Sequence, residues 1–154
     1  MTDLTKNKKL GLDSEDKPQD LPHKIAAGER FDVTFPENFP PLKKFETTHT
    51  WYASFTEDSR SIIGRHQTSQ NFYQLTLLTP RELKSGTYKL EDYGPGKHSV
   101  VFMVYGVSVK GGNVTYDVDD SRKSVKATLE FEIVYESTPY TVTADIFLLA
   151  TGEL

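Results

Sequence analysis

The chain of 154 residues has no cysteine. That excludes disulfides, thiolate metal sites, cysteine nucleophiles and lipids carried on sulfur. Histidine is scarce. The four at 23, 49, 66 and 98 form neither His-x-His nor His-x-x-x-His, so no metal-ligand spacing can be read from the sequence. Long apolar runs are missing as well: Ile146 to Ala150, for example, is five residues, against the ~20 that a membrane-spanning helix needs. The opening residues Met1 to Lys6 hold no apolar stretch suited to a signal-peptide core. A cytoplasmic location is therefore expected, or secretion if an export signal has been removed. An excess of positive charge is absent too. Net charge is −4 with pI near 5.6, which argues against a general binder of nucleic acid or anionic membrane, since both need clustered Lys and Arg.

What is present is strand grammar. Hydrophobic residues make up 36% of the chain and aromatics 12%, so a modest number of large rings must fill one core, in the residue types that sheets favour. In residues 125–133 the apolar side chains Val125, Ala127, Leu129, Phe131 and Ile133 alternate with Lys126, Thr128, Glu130 and Glu132. Only an extended strand places i, i+2 and i+4 on one face, so this segment is half-buried antiparallel sheet.

Residues 1–27 read differently. The first 24 carry ten charged groups, five of each sign, with Pro18 and Pro22. Such a segment buries too little to offset its ordering entropy, and a flexible charged tail is expected, followed by one all-β domain over 28–154. Phe31–Thr34 suits a short edge strand, because Pro36, Pro40 and Pro41 forbid a central one. Phe31, Phe35 and Phe39 are expected to pin this coil across one mouth of the core.

From Lys44 onward alternation dominates. Phe45, Thr47, His49, Trp51, Ala53 and Phe55 share one face, opposite Tyr52 and its neighbours. A strand around Ser61–Arg65 follows, with Gly64 as a bulge, then strands at Phe72–Thr79 and Thr87–Glu91. The connector from Pro80 to Gly86 suits one helical turn capped by Thr79. His98–Val109 is apolar on both faces and is assigned to the centre of a sheet. Gly111-Gly112 is read as a hairpin into Asn113–Val118, and the strands Ser124–Tyr135 and Tyr140–Ala150 complete a four-strand meander. The fold expected is an antiparallel β-sandwich of about eight or nine strands with mostly meander connections, an up-and-down barrel being the alternative.

The order Gly86-Thr87-Tyr88-Lys89-Leu90, a glycine pair, Asn113-Val114-Thr115-Tyr116, Lys126 to Phe131 and Ile146-Phe147-Leu148 resembles a family of small bacterial all-β domains. The resemblance covers about residues 45–150. Members of that family are often lipoproteins of uncharacterised function, so the likeness implies a fold and no activity. The chain departs from the lipoprotein pattern in having neither an export signal nor an anchoring Cys.

Candidates for chemistry are few. Asp117, Asp119 and Asp120 cluster at a strand end, where a hard cation could be held, but the glycine and distal Glu of an EF-hand loop are missing and Arg122 and Lys123 offset the charge. A turn favoured by Asp side chains is the preferred reading. Glu130 and Glu132 lie ~7 Å apart on one strand, within range of a glycosidase pair. They alternate with Lys126 and Thr128, as a solvated face would. Gly94-Pro95-Gly96-Lys97 cannot cradle phosphate, because Pro95 lacks an amide donor and no helix follows. No Gly-x-Ser-x-Gly occurs. No cofactor and no metal site is expected.

Aromatics are the better lead. Trp51 and Tyr52 must face opposite ways, and Tyr73, Tyr93 and Tyr105 add rings that one core cannot all absorb. Exposed rings at a face or loop rim serve as anchors for a protein or stacking surfaces for a sugar. The function expected is a non-catalytic binding or accessory module for a protein or glycan, with Trp51, Tyr52, Tyr93 and His98 as contact residues. A hydrolase-like or isomerase-like enzyme with a cavity around His49 or His98 is the second reading. A membrane-active β protein, suggested by the Ser/Thr-rich strand 47–54, is the third. An unpaired sheet edge makes homodimerisation a further expectation.

Overall fold

The computed structural model describes residues 4–21, 23–42, 44–68 and 72–154. One short helix, α1 (Leu4–Lys9), precedes nine strands: β1 (Arg30–Thr34), β2 (His49–Thr56), β3 (Ser59–Gln67), β4 (Phe72–Pro80), β5 (Gly86–Leu90), β6 (Ser99–Met103), β7 (Val107–Asp119), β8 (Ser124–Tyr135) and β9 (Thr138–Leu149). They form two antiparallel sheets, one of order β1-β9-β8-β7-β5 and one of order β2-β3-β4-β6. The sheets stay open, so the sandwich and not the barrel is the architecture.

Alternation decides what lies between them. From the five-stranded sheet, Phe31, Val114, Tyr116, Val125, Ala127, Leu129, Phe131, Ile133, Val142, Ile146 and Leu148 point inward. Tyr52, Ile62, Leu75, Leu77, Val100 and Phe102 meet them from the four-stranded sheet. The odd-numbered apolar row of β8 is buried throughout, as its period-two pattern requires. Phe31 reaches across from β1 and lays its ring against Gly64, which pairs with Thr50 and Leu75 in an unbroken register. Gly64 is thus a seat for a ring and not the bulge expected of it.

Three further expectations are corrected. Residues 98–109 are not one central strand. β6 is the edge of the four-stranded sheet, and the chain turns at Val104–Gly106 to begin β7 in the other sheet. Apolar side chains on both faces of β6 reflect cover from two sides: Val100 and Phe102 meet the core, while Val101 and Met103 meet a smaller cluster around Leu10, Leu12 and Leu78. Gly111-Gly112 closes no hairpin; it lies inside the long strand β7, at a register shift between Val109 and Gly111. A side chain at Gly112 would run into the Glu130 carbonyl of β8, so the close approach of the two strands requires glycine there. The connector after Thr79 forms no helical turn, because β4 continues through Pro80 and pairs it with Ser59.

Residues 4–21, expected within a flexible tail, lie against the outward face of β3 and β4. Asn7, Lys9, Leu10, Leu12 and Leu21 are buried there. The face they meet is mixed, with Ile63 and Leu78 buried on it beside polar side chains. Ser61, Arg65, Gln74 and Thr76 all point outward from β3 and β4 and are buried beneath the segment.

Candidate functional site

The four contact residues expected from sequence are not brought together. Tyr52 is corrected outright: it is fully buried between the sheets, and its hydroxyl accepts a 3.0 Å hydrogen bond from Arg60. Burial pushes its hydroxyl pKa up, against the opposing pull of Arg60. Strand parity put Trp51 and Tyr52 on opposite faces, and the core took the tyrosine. Trp51 is half-buried on the outward face of β2, its ring stacked on Phe55 with centroids 5.0 Å apart and Gly152 against its edge. Tyr93, in the loop between β5 and β6, has Lys6 Nζ 5.0 Å and Lys9 Nζ 5.3 Å from its ring centroid, so its face is turned to α1. His98 stacks on Tyr88 with centroids 4.0 Å apart and tilts against the buried Tyr116. Burial holds its imidazole pKa below the ordinary value, against the opposing charge of Glu91.

A different group of rings meets at one end of the sandwich. The turn between β6 and β7 carries Tyr105, which is 97% exposed. Gly106, at φ +79°, turns the chain there, and the Tyr135 ring lies close against it. Tyr135 closes β8 and Tyr140 sits near the start of β9, both half-buried. Phe39, from the proline-rich loop after β1, meets Tyr140 edge-on at 5.1 Å and Tyr135 at 6.2 Å. Phe35 stacks on Phe39 at 5.1 Å and on Phe102 at 5.9 Å. The expectation that phenylalanines pin this loop across a mouth of the core describes Phe35 and Phe39 well. Glu136 and then burial raise the Tyr135 hydroxyl pKa, with smaller contributions from Tyr140 and Tyr105. The rim is therefore three hydroxyl-bearing rings, two fixed by packing and one free.

A broad concavity lies elsewhere. On the outward face of the five-stranded sheet, a shallow depression of about 880 Å³ is lined by Asp32, Thr128, Glu130, Glu132, Thr143 and Asp145 among others. Its polar row follows directly from the alternation of β8 and β9, and it carries no large ring beyond Phe131, whose side chain is buried beneath. Glu130 and Glu132 stand there among threonines, as a solvated face.

Among the described residues no group of three or more His, Asp or Glu is placed to hold a metal ion. Asp119 accepts from Ser121 Oγ at 2.6 Å and from the Arg122 amide at 3.1 Å, and so builds its own turn. Asp120 takes both Arg60 nitrogens, at 2.9 and 3.2 Å, tying the β7–β8 turn to β3 across the sandwich. His49 stands beside Arg65 and Lys24 and bonds Thr48 Oγ1 at 2.9 Å. Among the described residues no carboxylate is hydrogen-bonded to His49 or His98. His66 Nδ1 accepts from the Glu46 amide at 2.8 Å.

No family model, no curated protein and no solved structure matches this chain. No helix among the described residues is long and apolar enough to cross a membrane.

Sequence reasoning singled out Tyr105 as one ring among several but did not group it with Tyr135 and Tyr140. The signal was present: Tyr105-Gly106 breaks an apolar run, and Tyr135 and Tyr140 flank one tight turn.

Proposed function

We propose that this chain is a non-catalytic binding module that recognises a protein or glycan partner through the tyrosine rim formed by Tyr105, Tyr135 and Tyr140. The observation that carries the reading is the 97% exposure of Tyr105 beside two rings already held by Phe39. Tyrosine offers a large amphipathic contact at little cost in conformational entropy, and a rim with two rings fixed beforehand lowers that cost further. The partner's apolar surface, whether a side chain or the C–H face of a sugar, would rest on the rings while the hydroxyls take its polar groups. The enzyme reading lacks comparable support, since its histidines sit against a cationic neighbour in one case and an aromatic stack in the other.

The test is a glycan array and a lysate pull-down run in parallel with the native chain and with Y105A. Tyr105 is almost wholly in solvent, so its removal should leave the melting curve unchanged. A captured glycan or protein is expected to be lost or weakened at least tenfold by Y105A, in line with truncation of an aromatic anchor. Ligands captured equally by both chains would contradict the rim as the contact surface.

A further inference from the structure

The segment laid over β3 and β4 is held in an unusual way. Three consecutive main-chain carbonyls, those of Lys9, Leu10 and Gly11, accept hydrogen bonds from three side chains of the sheet. Ser61 Oγ donates to Lys9 at 2.6 Å, Gln74 Nε2 to Leu10 at 2.7 Å and Arg65 to Gly11 at 3.3 Å. A fourth carbonyl, that of Gln19, accepts from the other terminal nitrogen of Arg65. Arg65 and Gln74 are fully buried, and Arg65 Nε is fixed to Gln74 Oε1 at 2.8 Å. The sheet supplies donors and the segment supplies backbone acceptors. Side chains add an apolar anchor, Leu10 and Leu12 against Leu78, and an ion pair of Lys9 Nζ with Asp58 at 3.3 Å; Gly11 sits at φ +68° between the two leucines.

The covered face is mixed: beside Ile63 and Leu78 it carries the buried polar side chains Ser61, Arg65, Gln74 and Thr76. Each would be well hydrated if the segment left. Arg65 would gain most, because a buried guanidinium bonded only to neutral oxygens is an expensive arrangement; burial lowers its pKa to about 10, with Asp20 opposing.

We infer that the outward face of β3 and β4 is a peptide-binding groove occupied in cis by residues 9–19 of its own chain, and that it accepts in trans a peptide with the same leucine–glycine–leucine core. Recognition runs through the peptide backbone, with leucine pockets on either side of a residue able to adopt positive φ. The tethered segment then acts as a competitor that a trans ligand must displace. Its effective concentration, of millimolar order for a short link, sets how much weaker trans binding is in the native chain.

The experiment uses the full chain and a fluorescein-labelled synthetic peptide of residues 4–21, read by anisotropy. The native chain should bind it weakly. The variant L10D/L12D, which removes the cis anchor, should bind it at least tenfold more tightly, and adding Q74A to that variant should abolish the gain. A folded L10D/L12D chain that binds no better than the native one would overturn the inference. So would loss of the cooperative β-sheet melt in L10D/L12D, because the segment would then be a structural layer. Native hydrogen exchange gives an independent reading. The amides of Leu10, Leu12 and Gln19 should open together at lower free energy than those of β8; equal protection in the two places would likewise refute it.

Discussion

Gly64 shows how a single position holds the two sheets in relation. The Phe31 ring occupies the space where a β-carbon would stand, so the residue cannot be enlarged without moving a ring shared by both sheets. G64A is expected to cost about 1–3 kcal/mol, the range for forcing volume into a filled core. Urea denaturation would measure it, and a loss under about 0.5 kcal/mol, the size of an ordinary surface change, would mean that the ring is loosely held. Glu29 offers a second residue-scale test. Its carboxylate is enclosed and accepts from His23 Nε2 at 2.7 Å, Ala26 N at 2.9 Å and Leu149 N at 3.1 Å. Burial pushes its pKa up, but these bonds outweigh it and hold the group below its ordinary value of 4.5. A depressed carboxylate stabilises the fold above its unfolded pKa and loses that contribution as pH falls through the folded one. Stability should therefore decline on acidification below about pH 4.5, and E29Q should flatten that part of the pH–stability curve. An unchanged slope in E29Q would assign the acid sensitivity to other groups.

At the scale of elements, the β8–β9 hairpin closes on Glu136 and Ser137, at φ +48° and +66°. Tyr135 pairs with Thr138, so these two residues form the whole loop, the geometry that favours Asn-Gly. Neither side chain suits the left-handed region, where a non-glycine residue costs roughly 1–2 kcal/mol. E136N/S137G should raise stability by about 1 kcal/mol, visible as a higher melting temperature. A fall in stability would mean that the native side chains are serving the turn in some other way. Period two was the legible part of this chain. It identified β8 and β9 with their buried rows, while the prolines after Thr34 gave the edge position of β1. It failed where one pattern had two physical sources. Residues 98–109 look like a two-sided central strand because β6, within them, is covered by the core on one face and by Leu10 and Leu12 on the other. Gly111-Gly112 looks like a hairpin because close strand approach and tight turns make the same demand on a side chain. Residues 4–21 look unstructured because their partners, Ser61, Arg65 and Gln74, bind main-chain carbonyls, and a backbone acceptor leaves no trace in sequence. Tyr52 was misjudged as a contact residue for a related reason. Parity says that Trp51 and Tyr52 differ in face, but which one enters the core follows from long-range pairing, which sets Tyr52 opposite Ile62.

The whole molecule presents three surfaces of distinct chemistry. The outward face of the five-stranded sheet is hydroxyl- and carboxylate-lined, the outward face of the four-stranded sheet is occupied by the chain's own N-terminal segment, and one end is rimmed by tyrosines. The rim sets a ring almost wholly in solvent beside two rings packed on Phe39, which is why binding is proposed there. Alternation fixes the first surface and long-range pairing fixes the third, since Tyr105, the Tyr135–Tyr140 hairpin and Phe39 come from three separate stretches of sequence. Amide chemical-shift mapping with the ligand recovered from the array or the pull-down tests the assignment most directly. Shifts concentrated at Val104–Gly106, at Tyr135–Tyr140 and around Phe39 are the predicted result. Shifts confined to Asp32, Glu130 and Asp145 on the polar sheet face, with the tyrosine rim unmoved, would contradict it.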